Sequence, residues 1–415
     1  METGTVSHIE AQGNQTFLDG KFRLIGGASY RNYDLNTFGT LMGLADDDRS
    51  DAVKSVFGQG EFRIGDKIRL VGAARYDEGD LFEGQVSPKG AIVYTPNDNH
   101  AFRFTVNKAF QTANYSEFFL RANAGAPVNF SALEAGLRAN APARPRAGRR
   151  AAVGQLFTNS ASVPVLARGN AALDVEKTTG YEVGYKGALS EKVYVTVDLY
   201  QNNITGFITD LLPGVNSAFP YWTAAGGRAG RRACRASSAR SRPSSGANPA
   251  TALAAAGLTR DENGNTAVLV SYTNAGDVDQ KGLDVGIGFQ LTSELRADAT
   301  FSFFDFTVNS QRAGDQLLPN TPDRKATLGL TYEGARNGIN ASLSSRFVAS
   351  YDWAAGVFVG RVPAQQQINA TIGFDTGEGY RLFANGVNIL DQQRYQMFGG
   401  AVIGRRVLFG ISTLF

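Results

Sequence analysis

Apolar and polar residues alternate along most of this chain with a period of two, the spacing that puts successive side chains on opposite faces of a β-strand. Residues 283–291 show the pattern clearly, because their odd-numbered positions are apolar and their even-numbered positions are polar or glycine. Residues 193–200 and 368–374 repeat it. The alternating segments at 278–291 and 295–308 also exceed the roughly 9–11 residues that a strand needs to cross a bilayer. We therefore predict long strands with one apolar and one polar face.

Short and long connections alternate between the predicted strands. Short turns rich in Gly, Asn, Asp and Pro, the residues favoured in hairpins, occur at 18–21, 64–67, 95–99, 189–191, 292–294, 333–338 and 375–379. Longer polar connections occur at 32–51, 77–85, 115–178, 206–269, 309–324, 351–363 and 391–400. Seven hairpins and a closing strand amount to about fifteen strands. This layout predicts an all-β fold, an antiparallel transmembrane β-barrel meander with its short turns at one end.

The last eleven residues have the same alternating pattern. Counting back by twos from Phe415 places Thr413, Ile411, Phe409 and Val407 on one face of a strand. A chain that ends on an aromatic residue inside a strand is typical of outer-membrane β-barrels, although ordinary sheets also contain such strands.

Composition agrees with a β-rich protein. Charged residues make up only 19% of the chain, while Gly (48), Phe (27) and Tyr (15) are abundant. No apolar run is long enough for a transmembrane helix, and the mean hydropathy of −0.20 does not argue against a barrel, whose lipid-facing residues alternate with polar ones. A soluble sandwich with its apolar face inward gives the same alternation.

Aromatic residues near the predicted strand ends are candidates for the interfacial girdles of a barrel, with ordinary sheet packing as the alternative. They are Tyr30, Tyr33, Tyr76, Tyr94, Tyr200, Phe347, Tyr351, Trp353 and Tyr380.

Two stretches, residues 135–173 and 211–260, differ from the rest of a chain that we predict to be a single β-barrel domain over 1–415. They contain thirteen arginines and no acidic residue, so that the remaining chain has 28 basic and 38 acidic residues. We predict irregular Arg/Ala-rich external loops there, because their composition is that of disordered or miscoded segments. A basic loop that binds anions is the alternative.

Candidate catalytic and metal-binding residues are scarce. The single cysteine, Cys234, excludes an intramolecular disulfide, and His8 and His100 are the only histidines. Nucleophilic catalysis requires a base beside the nucleophile, and one of these histidines lies in a predicted strand while the other adjoins a turn. The acidic run at 46–48 is expected to be a solvated loop, with cation binding as the alternative. We predict that the protein is not an enzyme and has no cofactor or metal site.

Six segments resemble motifs of TonB-dependent outer-membrane receptors, in the family's order. Residues 107–119 resemble Ser-Arg-Ala-Phe-Arg-Thr-Pro-Asn-Tyr-Glu-Glu-Leu, and residues 169–187 resemble Gly-Asn-Pro-x-Leu-x-Pro-Glu followed by Tyr-Glu-x-Gly. Residues 274–284 and 318–325 are similar to Asn-x-Gly-x-Val-x-x-x-Gly-Leu-Glu and Leu-Pro-x-x-Pro. Residues 385–391 and 404–411 are similar to Val-x-Asn-Leu-Phe-Asp and Gly-Arg-x-x-x-x-Gly. Their shared order and spacing make the set more specific than any single match.

The resemblance implies a 22-stranded barrel with an N-terminal plug domain, which takes up a scarce nutrient with energy passed on by TonB. The fifteen predicted strands would be the last fifteen of such a barrel. No segment corresponds to a plug, a TonB-contacting box or the first seven strands. The chain also departs from the motifs at Ala113, Ala171 and Val175, where the family usually has proline.

The resemblance also implies partners and site residues. A ligand such as a ferric siderophore, cobalamin or an oligosaccharide would meet the external loops, where the candidate contacts are Tyr221, Trp222, Trp353 and Tyr395. The closing-strand residues that would signal to the barrel-assembly machinery are Phe409, Ile411 and Phe415. Further expected partners are outer-membrane lipid and TonB, acting through the plug, but no nucleic acid. The expected location is the bacterial outer membrane.

Two other functions are consistent with the sequence. One is a plug-free porin or adhesin barrel, which would conduct ions without TonB. The other is a soluble extracellular all-β binding protein, which would be purified without detergent.

Overall fold

The computed structural model describes residues 3–43, 46–139, 157–219, 257–334, 336–355, 358–377 and 379–413. Strands dominate this part of the chain, and its two helices are short. In chain order, the elements are β1 (Thr3–Phe17), β2 (Phe22–Asn36), β3 (Arg49–Ile64), β4 (Ile68–Gly79), β5 (Phe82–Asn97), β6 (His100–Gln111), α1 (Tyr115–Phe119), β7 (Arg121–Asn123), α2 (Ser131–Ala139), β8 (Val165–Arg168), β9 (Glu176–Ser190), β10 (Val193–Ile208), β11 (Leu212–Pro213), β12 (Leu258–Arg260), β13 (Thr266–Ser271), β14 (Asn274–Gln290), β15 (Leu295–Ser310), β16 (Arg324–Glu333), β17 (Ile339–Val348), β18 (Tyr351–Ala355), β19 (Phe358–Val362), β20 (Gln365–Asp375), β21 (Tyr380–Val387) and β22 (Arg406–Thr413).

One antiparallel sheet contains fifteen of these strands, as the turn pattern predicted. Its order is β1-β2-β3-β4-β5-β6-β9-β10-β14-β15-β16-β17-β20-β21-β22, so that strands adjacent in the sheet follow one another along the chain. All seven predicted short turns join neighbouring strands of this meander. Within the described residues, β1 pairs only with β2 and β22 pairs only with β21, so the sheet is not closed.

Residues 77–85 are not the long connection that the polar sequence suggested. β4 continues to Gly79 and β5 begins at Phe82, which leaves a turn of two residues. The Asp80 carboxylate accepts a hydrogen bond from the Ala52 amide at 2.8 Å, and Asp77 accepts one from the Ser55 hydroxyl at 2.6 Å. The prediction was wrong because these acidic side chains are satisfied within the sheet and do not mark a loop.

One face of the sheet is apolar across its whole width. The register of the central strands aligns Val285 with Val197 and Phe301, and the neighbouring rows continue the apolar ladder. Many side chains of this face are exposed, up to 70% for Ile9 and 76% for Phe409. No layer of described residues packs against this face, whereas a soluble sandwich would cover it. An exposed apolar surface of this extent is typical of a surface that faces lipid.

The opposite face carries charged side chains in mid-strand. Arg103 forms ion pairs with Glu182 and with Asp198, the second at 3.3 Å between Nη2 and Oδ1. Arg296 and Asp298 form a similar pair on β15 at 2.9 Å. Polar and charged residues in the middle of long strands are characteristic of the lumen side of an outer-membrane barrel.

Aromatic residues of the apolar face lie towards both ends of the strands. Tyr30, Tyr76 and Phe347 lie towards the end of the sheet that carries the long connections, whereas Tyr94 and Tyr380 lie towards the opposite end. Tyr33 and Tyr200 lie instead on the polar face, paired across the sheet with Asp51 and Gly282. The candidates for the girdles are therefore the residues of the apolar face.

The two Arg/Ala-rich stretches lie partly outside the described residues, at 140–156 and 220–256. Their described ends include the short strands β8, β11 and β12. No helix among the described residues is long and apolar enough to cross a membrane.

Candidate ligand-binding site

The long connections form two groups of packed segments at one end of the sheet. We call the first group the first loop assembly; it consists of α1, β7, β8, β11, β12 and β13. Its strands form a small sheet in the order β11-β13-β8-β7, with β12 also paired to β13. Strand β8 from one connection runs parallel to β13 from the next, with Val165 opposite Val268. Two connections that are distant in sequence are thus held as one unit.

Gly169 and Asn170 hold together the motifs at 107–119 and 169–187, which lie at the two ends of the connection between β6 and β9. A Cβ at position 169 would overlap the backbone of Phe118, so only glycine fits this contact with α1. The Asn170 amide nitrogen donates to the Glu117 carbonyl at 2.7 Å, and the Asn170 side chain donates to the Tyr272 carbonyl at 2.9 Å. The motif therefore anchors the first loop assembly to α1 and to the connection before β14.

Helix α1 begins with a reciprocal cap. The Asn114 side chain accepts a hydrogen bond from the Glu117 amide at 2.9 Å, and the Glu117 carboxylate accepts one from the Asn114 amide at 2.7 Å. Burial raises the pKa of Glu117, which the hydrogen bond from Asn114 partly opposes. Phe118 then packs in a buried cluster with Ala113 and Leu173. The small Ala113, at a position where the related motif has proline, fits this cluster.

Asn274 joins a third motif to the same assembly. Its side-chain nitrogen donates to the carbonyls of Asp174 and Gly206, both at 2.9 Å. Its side-chain oxygen accepts from the Asp174 amide at 2.8 Å. Residues from three motifs recognised in the sequence therefore hold together the ends of β9, β10 and β14 that adjoin the long connections.

A cavity of about 480 Å³ borders the first loop assembly. The two arginines that line it, Arg121 and Arg168, are paired with an acidic side chain. We call this cavity the paired-charge cavity. Glu262 lies between Arg168, with 2.7 Å from Nε to Oε1, and Arg121, with 2.9 Å from Nη2 to Oε1. The hydrogen bond from Arg168 is the main reason that the pKa of Glu262 is lowered, although burial opposes it. Arg168, one of the thirteen arginines of the unusual stretches, thus has a structural partner.

The second loop assembly consists of β18, β19 and the connections at 311–323 and 388–405. The Tyr351 hydroxyl donates to the Gln396 carbonyl at 2.5 Å, and the Tyr395 hydroxyl donates to the Arg361 carbonyl at 3.2 Å. The Asn320 side chain makes two hydrogen bonds with the backbone of Ala354, both at 2.9 Å. These bonds join the β18–β19 hairpin to both flanking connections.

Two of the four predicted ligand contacts lie in this second assembly. Trp353 pairs with Gly360 within the hairpin, and Tyr395 makes an edge contact with the ring of Phe398 at 6.2 Å. Tyr221 and Trp222 lie outside the described residues. The structure therefore brings Trp353 and Tyr395 into one assembly, and their contact with a ligand remains a prediction.

The predicted assembly signal lies on the last strand. Phe409 and Ile411 are on the apolar face of β22, where their side chains are exposed. Phe415 lies outside the described residues. A role in barrel assembly remains a prediction for all three residues.

Asn388 positions the connection that carries Tyr395. It is completely buried, and its side chain both donates to the Gln392 carbonyl at 2.9 Å and accepts from the Gln392 amide at 3.1 Å. Asp391 accepts a hydrogen bond from the Arg405 amide at 2.7 Å, which holds the start of β22. The matched Asn-Ile-Leu-Asp segment is therefore a tight structural turn.

A second cavity, of about 200 Å³, lies between the second loop assembly and the polar face of β16, β17 and β20. We call it the cationic cavity. Its lining includes Lys325, Arg346 and Arg394, and no described acidic residue. Sequence reasoning did not select these residues, because they come from three separate segments that share no motif.

The described residues contain no group of three or more His, Cys, Asp or Glu side chains that could hold a metal ion. In the acidic run at 46–48, the Asp47 carboxylate accepts hydrogen bonds from the Thr37 amide at 2.6 Å and the Gly39 amide at 2.5 Å. This carboxylate fixes the conformation of the β2–β3 connection.

Comparison with known proteins identifies the family of this chain. Residues 3–389 match the family model described as TonB dependent receptor-like, beta-barrel. No curated protein matches the chain.

Solved structures share the fold at low sequence identity. The siderophore receptor PirA from Acinetobacter baumannii is 12% identical with a TM-score of 0.63, and the match covers 99% of this chain and 54% of the receptor. A variant of the ferric enterobactin receptor PfeA from Pseudomonas aeruginosa, in complex with enterobactin, is 11% identical with a TM-score of 0.63 and the same two coverages. The FrpB iron transporter from Neisseria meningitidis is 13% identical with a TM-score of 0.58, covering 99% and 55%.

The chain spans about half the length of these solved receptors. The family match extends over most of the chain, and the fifteen-stranded meander has the architecture that this match implies. This chain belongs to the TonB-dependent receptor-like β-barrel family.

Proposed function

We propose that the chain is part of the transmembrane barrel of a bacterial outer-membrane receptor for TonB-dependent uptake of a scarce nutrient. The observation that carries this proposal is the fifteen-stranded antiparallel sheet, whose apolar face has no described protein layer against it. Such a face requires a lipid environment, while the charged opposite face suits a water-filled lumen. Location in the outer membrane and contact with its lipid are parts of the proposal.

A small ligand would enter at the end of the sheet that carries the long connections. Both loop assemblies and both cavities occur there, and hydrogen bonds hold each assembly in a defined shape. A ferric siderophore is the ligand class that we favour, because two solved receptors with this fold are described as siderophore receptors. Trp353 and Tyr395 of the second loop assembly are the proposed aromatic contacts.

Coupling to TonB through a plug domain, and insertion by the barrel-assembly machinery through β22, complete the proposal. The chain would bind and conduct its ligand without chemical change, so we propose no enzymatic role.

Fractionation of the bacterium that makes this protein tests the membrane assignment. We expect the chain in the outer-membrane fraction, resistant to carbonate extraction and solubilised only by detergent, because its apolar face must be covered by lipid. Iron-limited growth of a deletion strain on a panel of ferric siderophores then tests uptake, with a siderophore-independent iron source as the control. Loss of growth on one siderophore, restored by the intact gene, is the expected result.

Two outcomes would overturn the proposal in different ways. Recovery of the protein from the soluble fraction without detergent would show a soluble binding protein. Normal siderophore-dependent growth of the deletion strain, together with open-channel conductance of the purified protein, would show a plug-free porin.

A further inference from the structure

The cationic cavity opens on the polar face of the sheet. Lys325 of β16 is opposite Val348, and Arg346 of β17 is opposite Gln367 of β20. These residues alternate with the neighbouring Phe347, whose side chain lies on the apolar face. The cavity is therefore on the side that the proposed function assigns to the lumen, where lipid head groups have no access.

Arg394 enters the cavity from the connection before β22. Arg394 is only 7% exposed, and its Nε atom has no hydrogen-bond partner among the described residues. The backbone there is fixed, because the Arg394 carbonyl accepts from the Ile403 amide at 2.7 Å and Asn388 holds the preceding turn. A buried guanidinium with an unused donor is costly unless an acceptor reaches it.

Three positively charged side chains, those of Lys325, Arg346 and Arg394, line this cavity, and no described acidic side chain in the lining neutralises them. Arg346 and Arg394 line the same cavity, and burial, followed by repulsion from Arg346, lowers the pKa of Arg394. An anion in the cavity would remove this repulsion and accept hydrogen bonds from all three side chains.

We propose that Lys325, Arg346 and Arg394 form a binding subsite for one oxyanion group, such as a carboxylate, sulfate or phosphate. The volume of about 200 Å³ holds one such group and is smaller than the roughly 300–1,000 Å³ of a typical complete ligand site. The subsite thus binds a single anionic group of a larger ligand that extends towards Trp353 and Tyr395. Its role in uptake rests on the proposed function, whereas the binding of an anion does not.

Calorimetric titration of the purified full chain in detergent with sodium sulfate tests the subsite directly. Sulfate keeps its charge over a wide pH range, and titration with sodium chloride at equal ionic strength corrects for screening. We expect saturable sulfate binding that weakens about tenfold or more in Arg346→Gln and in Lys325→Gln, because each removes a charge-assisted hydrogen bond. Arg361→Gln is the matched control, since Arg361 lies in the same loop assembly, pairs with Asp352 at 3.9 Å and does not line the cavity.

Circular dichroism and heat-dependent gel mobility identify any variant that has lost its fold, and Arg346→Lys, which keeps the charge, should recover part of the affinity. Absence of saturable sulfate binding in the wild type, or equal weakening in Arg361→Gln, would refute the subsite. This titration involves neither a membrane nor TonB. A negative result would therefore refute the subsite without deciding the fractionation and growth experiments, which test the proposed function.

Discussion

The two cavities beneath the long connections differ in how their arginines are neutralised. In the paired-charge cavity, Glu262 contacts both Arg121 and Arg168. In the cationic cavity, Arg346 and Arg394 have no described acidic neighbour in the lining. A buried charge without a partner is costly, so Arg394, which is 7% exposed, needs an acceptor, whereas Arg346 is exposed. In the first cavity, Glu262 already neutralises the two arginines. Arginine content alone therefore does not identify an anion site.

The same comparison changes the interpretation of the arginine-rich stretches. Arg168 belongs to one of them, yet it is committed to an ion pair that joins two connections. Arg346 and Arg394 lie outside both stretches and line the cationic cavity, where the Arg394 Nε atom has no hydrogen-bond partner among the described residues. Whether an arginine forms a structural ion pair or is available to bind an anion depends on whether another loop places a carboxylate beside it. The local sequence around the arginine does not reveal that carboxylate.

The largest expected effect concerns the first loop assembly. Gly169→Val introduces a Cβ that overlaps the backbone of Phe118, so the contact between α1 and β8 must open. We expect the assembly to lose about 3 kcal/mol of local stability, which is the range of severe steric changes. Protease cleavage of this connection should then be roughly a hundredfold faster, if cleavage follows the population of the open state. Sulfate binding at the cationic cavity should be unchanged.

Gly125→Val is the matched control, because a Cβ at Gly125 meets nothing within 4 Å although the residue lies in the same connection. Equal cleavage rates for the two variants would show that the close approach of Gly169 to α1 does not hold the assembly together.

Local pattern explains what could be predicted from the sequence. The alternation in β14 and the turn residues after it depend on near neighbours, so both faces and the fifteen strands followed from periodicity. The pairing of Asn170 with Tyr272 joins residues about a hundred positions apart, and no local pattern specifies it. The motif matches located such residues without indicating what they contact.

The cationic cavity shows the same limit. Lys325, Arg346 and Arg394 meet only because β16, β17 and the last connection come together. The error at 77–85 has a related cause, since Asp77 and Asp80 resemble loop residues until Ser55 and Ala52 are known to pair with them. Polar residues can be assigned to a lumen face or to a loop only once the register is known.

A smaller effect is expected when the paired-charge cavity loses the carboxylate that contacts its two arginines. Glu262→Gln keeps the shape of the side chain but removes the charge that neutralises Arg121 and Arg168. We expect this variant to gain a second sulfate site, detected by calorimetry as an increase in stoichiometry, with a lower affinity than the cationic cavity because the Asp46 carboxylate still lines the paired-charge cavity. Glu191→Gln, in a short turn at the other end of the sheet, is the control for the loss of one negative charge. If Glu262→Gln binds no additional sulfate, neutralisation is not what distinguishes the two cavities.

The smallest effect is a dependence on pH at Glu262 of the first loop assembly, which sulfate binding at the cationic cavity should not share. The pKa of Glu262 is lowered in the folded protein from its ordinary value of 4.5, mainly by the hydrogen bond from Arg168. Its ion pairs therefore contribute their full stability above pH 4.5, and this contribution is lost as the pH falls through the lower folded value. Burial raises the pKa of Glu117 nearby, which gives a pH dependence of opposite sign. Subtracting the Glu262→Gln profile isolates the Glu262 contribution, because Glu117 is present in both proteins.

Hydrogen exchange of β8 and β13 between pH 7 and pH 3, corrected for the intrinsic exchange rate, measures this difference. The extra protection of the wild type over Glu262→Gln should be constant above pH 4.5 and should shrink below it. Sulfate binding at Lys325, Arg346 and Arg394 should not change over the same range, because no described carboxylate lines that cavity. A parallel loss of sulfate binding in acid would mean that a carboxylate controls both cavities, and the contrast between them would then be incorrect.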